Sequence, residues 1–439
     1  MKKVIKSVLL GIGLLFGISA IGIGVLTVQA SRYNGIWCME AYGFCFDIHL
    51  GRVKVYEVTD HFYTPINRYD GIIVNGRLYC GLGKFELEKD NTQLSLVDKG
   101  SQTVYNADKV KDAFLDDKRK VEEDNAKDKL AMFYEIFKEN YAFFDMYHVD
   151  IDKEYEKYKT LVTDTTDDET LFKYMCDMVS GLKDGHVELF LKDTEYMPHS
   201  YKPEWITDQE KQKFVVDTLK NNYIKDYYKF EDCYIRYGTL REDIGYIVIQ
   251  ALGMETLNKA ASTKKAMDKI IEEFQDKKTV IIDLRFCSGG FDEAQLLISG
   301  YFTNEPYLAY KKQAYFKEEV TELQDIYVYP NKLTYKGNVV IMLSEYTISA
   351  GEIFIRAMLA NPNHKITTIG KESAGFYSDS IHKILPGGFD FCMSTEKYYG
   401  NDDALLEGNG IEPDVYMPVS LQDAQNGVDN AFEWILEHY

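Results

Sequence analysis

The chain has 439 residues, 45% of them hydrophobic and 27% charged, with a formal net charge of −20. That length allows two or three domains and leaves no shortage of core-forming residues. The acidic balance, with no Lys/Arg stripe beyond Lys118-Arg119-Lys120, argues against nucleic acid and anionic lipid surfaces as partners.

The N-terminus places Lys2, Lys3 and Lys6 before an uncharged apolar run from Val8 to Val28, followed by Val28-Gln29-Ala30. Spanning a bilayer takes about 20 residues and a signal h-region about 7–15, so residues 1–30 read as a membrane anchor or a signal peptide. Either way the body of the protein is expected outside the cytoplasm, with the membrane a partner if the segment is retained. Residues 31–107 carry short strand-like runs, among them Arg52 to Val58 and Gln93 to Val97, separated by turns such as Asn75-Gly76. They predict a small antiparallel β domain, in which no chemistry stands out. Of seven cysteines, Cys38, Cys45 and Cys80 fall here; one bridge among them is an open alternative, and the odd total leaves at least one thiol free.

Residues 108–190 read as a charged connector and a helical segment. Leu130, Phe133, Phe137 and Tyr141 share one helix face; Leu171, Met175, Met178 and Leu182 share another, behind a capping box from Thr166 to Glu169. The segment ends on Asp184-Gly185-His186, a polar turn suited to aim an imidazole into a cleft.

Residues 191–439 alternate strands and helices: Ile244 to Ile249, a helix over Glu255 to Phe274, Thr279 to Leu284, then Arg285 to Gly290 and a further helix. This order predicts an α/β domain with a mainly parallel sheet. Asn338 to Ala360 reads as buried strand, polar turn and helix, with Ser349 where the helix begins. A hydroxyl there lies beyond a strand's carboxyl end, beside the unpaired N–H groups of a helix start. Ser349-Ala350-Gly351-Glu352 is also a capping box, the commoner meaning of those four residues alone. Gly289-Gly290 lacks the phosphate-loop pattern and better serves close backbone approach to a reacting carbonyl. No metal or organic cofactor is implied.

Four pieces occur in order: Asp184-Gly-His186, Asp283-Leu-Arg285 with Gly289-Gly290, Ser349-Ala-Gly-Glu352, and Glu407-Gly-Asn-Gly-Ile-Glu-Pro-Asp414. This resembles the tail-specific, or C-terminal processing, peptidase family of serine peptidases, over about His186 to Pro418. The resemblance implies a ClpP/crotonase-like catalytic core, Ser349 as nucleophile, an oxyanion hole from Ala350 and a glycine of Gly289-Gly290, and peptide or unfolded protein as substrate. Members with a PDZ domain use a Ser/Lys dyad, whose lysine position falls on Phe376 here; Lys371 is nearby and reads as a solvated loop lysine. No PDZ pattern is evident. Both departures turn the resemblance toward the tricorn-core-like branch, with His186 as base and Glu407 as the acid behind it. Asp184, Asp283, Arg285 and Glu352 read as supporting residues, and Cys287, where the family has asparagine, as a packed thiol. The rivals are a catalytically silent peptide- or ligand-binding relative and a Ser/Lys peptidase using Lys371.

Overall fold

The computed structural model describes residues 30–254 and 260–439. The apolar run from Val8 to Val28 and the expected helix start at Glu255 lie outside them. No helix among the described residues is long and apolar enough to cross a membrane.

Strands from Gly35–Met39 to Thr103–Val110 form an antiparallel meander. Arg52–Val58 pairs with Phe44–His49 along its length and with Gly71–Val74 at its start, Arg52 opposite Ile72, which closes the meander into a barrel. Alternation drives this: Val53 and Val55 turn inward while Arg52 and Lys54 stay in water. Cys38 and Cys45 face each other across adjacent strands and form a disulfide; Cys80 is a buried free thiol.

The helix Ala126–Asn140 is capped by the Asn125 side chain. Its face of Leu130, Phe133 and Phe137 is fully buried, with both phenyl rings against Phe391 of the C-terminal region. The helix Asp168–Val179 starts one residue later than the expected capping box implies. Asp167, not Thr166, accepts the Thr170 N–H, and Thr166 is drawn off to the N–H of Thr163.

The seven-stranded sheet of the C-terminal region is mixed, with parallel pairings in the majority. Ile244–Ile249, Thr279–Asp283, Asn338–Leu343, Ile366–Gly370 and Val415–Tyr416 run parallel. Lys225–Lys229 and Ile235–Arg241 add antiparallel at one edge, because a tight Glu242-Asp243 turn joins Ile235–Arg241 to its neighbour and leaves no room for a crossover. Two further four-stranded sheets are antiparallel. The central strands are apolar on both faces: Val339, Ile341 and Leu343 join one core cluster, Val340 and Met342 the other. The parallel strands therefore present their carboxyl ends along one edge, where Ser349 and Gly289 lie.

Candidate active site

Ser349 follows the buried strand Asn338–Leu343 and precedes the helix Ala350–Leu359. Its backbone sits at φ 58°, ψ −129°, a conformation that a non-glycine residue rarely adopts, and its side chain makes no capping bond. The strained turn with a hydroxyl left unspent differs from what a capping box produces. Glu352, the other end of that box, keeps the Ser349 backbone N–H as one partner, but its carboxylate mainly accepts from Ser373 Oγ at 2.5 Å and from the N–H groups of Gly375 and Phe376 at 2.8 and 2.9 Å. Burial pushes Glu352 up to about 8, and these donors hold it back.

Gly289 (φ 89°) and Gly290 (φ 141°) lie in the loop after Thr279–Asp283. A Cβ on Gly289 would stand 2.8 Å from the Ser349 Cβ, and one on Gly290 2.3 Å from the Leu252 carbonyl. Only glycine allows both approaches. Gly290 bridges Leu252, whose N–H and C=O are taken by Gly289 and Phe291, and it lines the same cavity as Ser349 and Ala350. The Gly289 N–H lies toward the Cys287 sulfur, and burial pushes that thiol up to about 12, so it is protonated and packed.

Asp283 and Arg285 are buried and fix the loop. Asp283 accepts from the Arg285 backbone N–H, Nε and Nη2, and from the Tyr246 hydroxyl, while Arg285 Nη1 reaches Asp429 at 2.7 Å. The carbonyls of Leu284 and Arg285 accept from Thr347 and Ser344, which ties this loop to the turn before Ser349.

A second cluster gathers Asp184, His186 and Glu407, whose ligand-type atoms lie within 4.8 Å of one another. Asp184 accepts from the His186 backbone N–H at 2.8 Å and the Tyr141 hydroxyl at 2.9 Å. Glu407 Oε2 accepts from the N–H groups of Tyr377 and Ser378. Glu407 Oε1 and His186 Nδ1 are buried with no hydrogen-bond partner in the protein. Burial lowers His186 and raises Glu407 well above the carboxyl range; the Asp184 charge opposes the first shift and reinforces the second. Two ionisable groups biased to their neutral forms at this separation suit a shared proton, and the three atoms also have the spacing of a cation site.

Residues 373–378 join the two clusters. Phe376 accepts the Ser349 N–H at 2.9 Å, Tyr377 and Ser378 hold Glu407, and a Cβ on Gly185 would stand 2.6 Å from the Phe376 ring. Sequence reasoning overlooked Tyr141, Ser373 and the amides of Tyr377 and Ser378. Backbone donors carry no residue signature, though Tyr141 at the end of an apolar helix face was a visible polar tip. Lys371, the alternative base, pairs with Glu345 at 3.3 Å and keeps 40% of its side chain exposed.

The description Peptidase family S41 matches residues 243–417. This stretch is a peptidase S41 domain. The tail-specific protease of Haemophilus influenzae is 26% identical over 182 residues, covering 39% of this chain and 25% of that protein. The carboxy-terminal-processing protease of Bartonella bacilliformis is 25% identical over 193 residues, covering 43% of this chain and 42% of that protein. The chain thus spans less than half the length of these curated relatives. A crystal structure from Parabacteroides merdae superposes with a TM-score of 0.60 at 23% identity, over 71% of this chain and 96% of that one. Mature CPAF gives 0.53 at 10% identity, over 71% and 96%. At these identities the two solved structures speak for the fold alone.

Proposed function

We propose that the S41 domain is a serine endopeptidase in which Ser349 attacks the peptide carbonyl. His186 takes the serine proton as general base and returns it to the leaving amine. Burial keeps His186 neutral and so ready to accept. The positive charge it gains during attack then favours the carboxylate form of Glu407, which Tyr377 and Ser378 orient. The N–H groups of Gly290 and Ala350 are the oxyanion donors, with Gly289 as the clearance that lets the chain approach Ser349. Asp184 holds the histidine turn, Asp283 and Arg285 the glycine loop, and Glu352 the bridge over 373–378.

The observation that supports this most is Ser349 itself: a serine held at positive φ, with no capping bond, against a glycine, in a cavity of about 820 Å³. An extracytoplasmic location agrees with the Cys38–Cys45 disulfide and the N-terminal lysines before an apolar run. A fluorophosphonate probe, followed by peptide mapping, tests the reading. Modification of Ser349 is expected, and an unlabelled Ser349 in folded protein refutes it, leaving the silent binder.

A further inference from the structure

We infer that the N-terminal barrel is the substrate-selecting wall of the S41 site, and that the peptide it admits carries a large apolar side chain flanked by Lys or Arg. This rests on the peptidase reading and specifies its substrate.

The cavity of about 820 Å³ that reaches Ser349 is lined on its far side by the barrel: Phe46, Tyr69, Leu82, Phe85 and Tyr105. Phe46 and Phe85 also belong to the barrel's own core, so the cavity runs into the barrel mouth. Barrel mouths are a recurrent place for ligands, and this volume exceeds what one side chain needs. Phe190 and Ile381 of the C-terminal region continue the apolar lining.

The wall is fixed rather than loosely apposed. Buried Lys383 donates to the Tyr42 carbonyl and to buried Glu57, both at 2.6 Å, and the Tyr42 hydroxyl donates to Glu396 at 2.5 Å. An apolar side chain entering the mouth would therefore meet preformed contacts, which lowers the ordering cost of binding.

Charge completes the selection. Asp98, Glu188, Asp292, Glu293 and Asp379 line the cavity; against them stand Arg68, paired with Asp390 at 3.1 Å, and buried Lys312 behind the lining, paired with Glu396 at 3.0 Å and 3.7 Å from Asp292, so acid is in excess. On a chain of net charge −20 this field attracts cationic peptides and repels acidic ones.

The test is fluorescence anisotropy with full-length Ser349→Ala and three labelled peptides: Phe flanked by Lys, Ser flanked by Lys, and Phe flanked by Glu. The first should bind about tenfold or more tighter than either other. Raising salt from about 0.05 M to about 0.5 M should erase much of the Lys-over-Glu advantage and leave the Phe-over-Ser one. Leu82→Asp, in the loop between two barrel strands, and Tyr105→Ser should reduce the Phe-over-Ser ratio. Asp98→Asn with Asp379→Asn should reduce the Lys-over-Glu ratio. Equal binding of the three peptides, or ratios unmoved in variants that melt like the parent, overturns the inference. Fluorophosphonate labelling of the wild type separates the two levels: a labelled enzyme without these preferences sinks the barrel's role alone, and absence of labelling sinks the peptidase reading.

Discussion

Ser349 donates its backbone N–H to the carbonyl of Phe376 at 2.9 Å. That bond couples the Ser349 turn to the segment whose next two amides hold Glu407 and whose phenyl ring rests against the turn of His186. Positioning of the serine and of the histidine–glutamate pair thus depends on one short stretch.

Gly185→Ala tests the coupling. Its Cβ would stand 2.6 Å from the Phe376 ring, and Phe376 is 5% exposed, so the ring must move and carry its carbonyl with it. Overpacking of this kind typically costs about 1–3 kcal/mol. The expected result is an unfolding free energy lowered by that amount, together with a loss of peptide hydrolysis larger than unfolding explains at the assay temperature. Unchanged turnover would show that the Phe376 contact does not position the site.

Ser349→Gly and Ser349→Ala should both abolish hydrolysis, yet differ in stability. At φ 58° a glycine rests without strain and an alanine does not, a difference of about 1 kcal/mol. Calorimetry should place Ser349→Gly above Ser349→Ala, and the reverse order would argue for a serine held by ordinary capping.

Glu57 and Lys383 join barrel and S41 region with both side chains at 0% exposure. Burial lifts Glu57 to about 7, with Lys383 pulling it back. Removing one partner leaves the other buried and uncompensated, so Lys383→Met alone should cost about 3–5 kcal/mol in urea unfolding. Adding Glu57→Gln should recover most of that loss. A double variant as unstable as the two single losses combined would mean that the pair is not coupled.

Much of this fold was legible because its signals are local. The apolar run of Asn338–Leu343 marks a doubly buried strand, and Leu130, Phe133 and Phe137 mark one helix face. Thr166 misled because Asp167, one residue on, is an equally good cap. Barrel closure was not legible, since it depends on Arg52 meeting Ile72, a register that no single strand encodes. The buried ion pair had a signal that went unread. Glu57 continues the inward alternation of Val53 and Val55, and Lys383 lies between Ile381 and Leu385 on one face. For the candidate site, the order of four short motifs suggested Ser349, His186 and Glu407, whereas the amides that hold Glu407 could come only from three dimensions.

The most direct measurement is kcat/KM against pH for the wild type, His186→Ala, Glu407→Gln and Lys371→Ala. Only neutral imidazole accepts the serine proton, and burial lowers the His186 pKa, so wild-type activity should be lost as pH falls through a group below the ordinary value of about 6.5. His186→Ala should lose about 10²-fold or more, Glu407→Gln less, and Lys371→Ala only a few-fold with the acid limb in place. An active His186→Ala beside an inactive Lys371→Ala would contradict the histidine mechanism and return Ser349 to a lysine base.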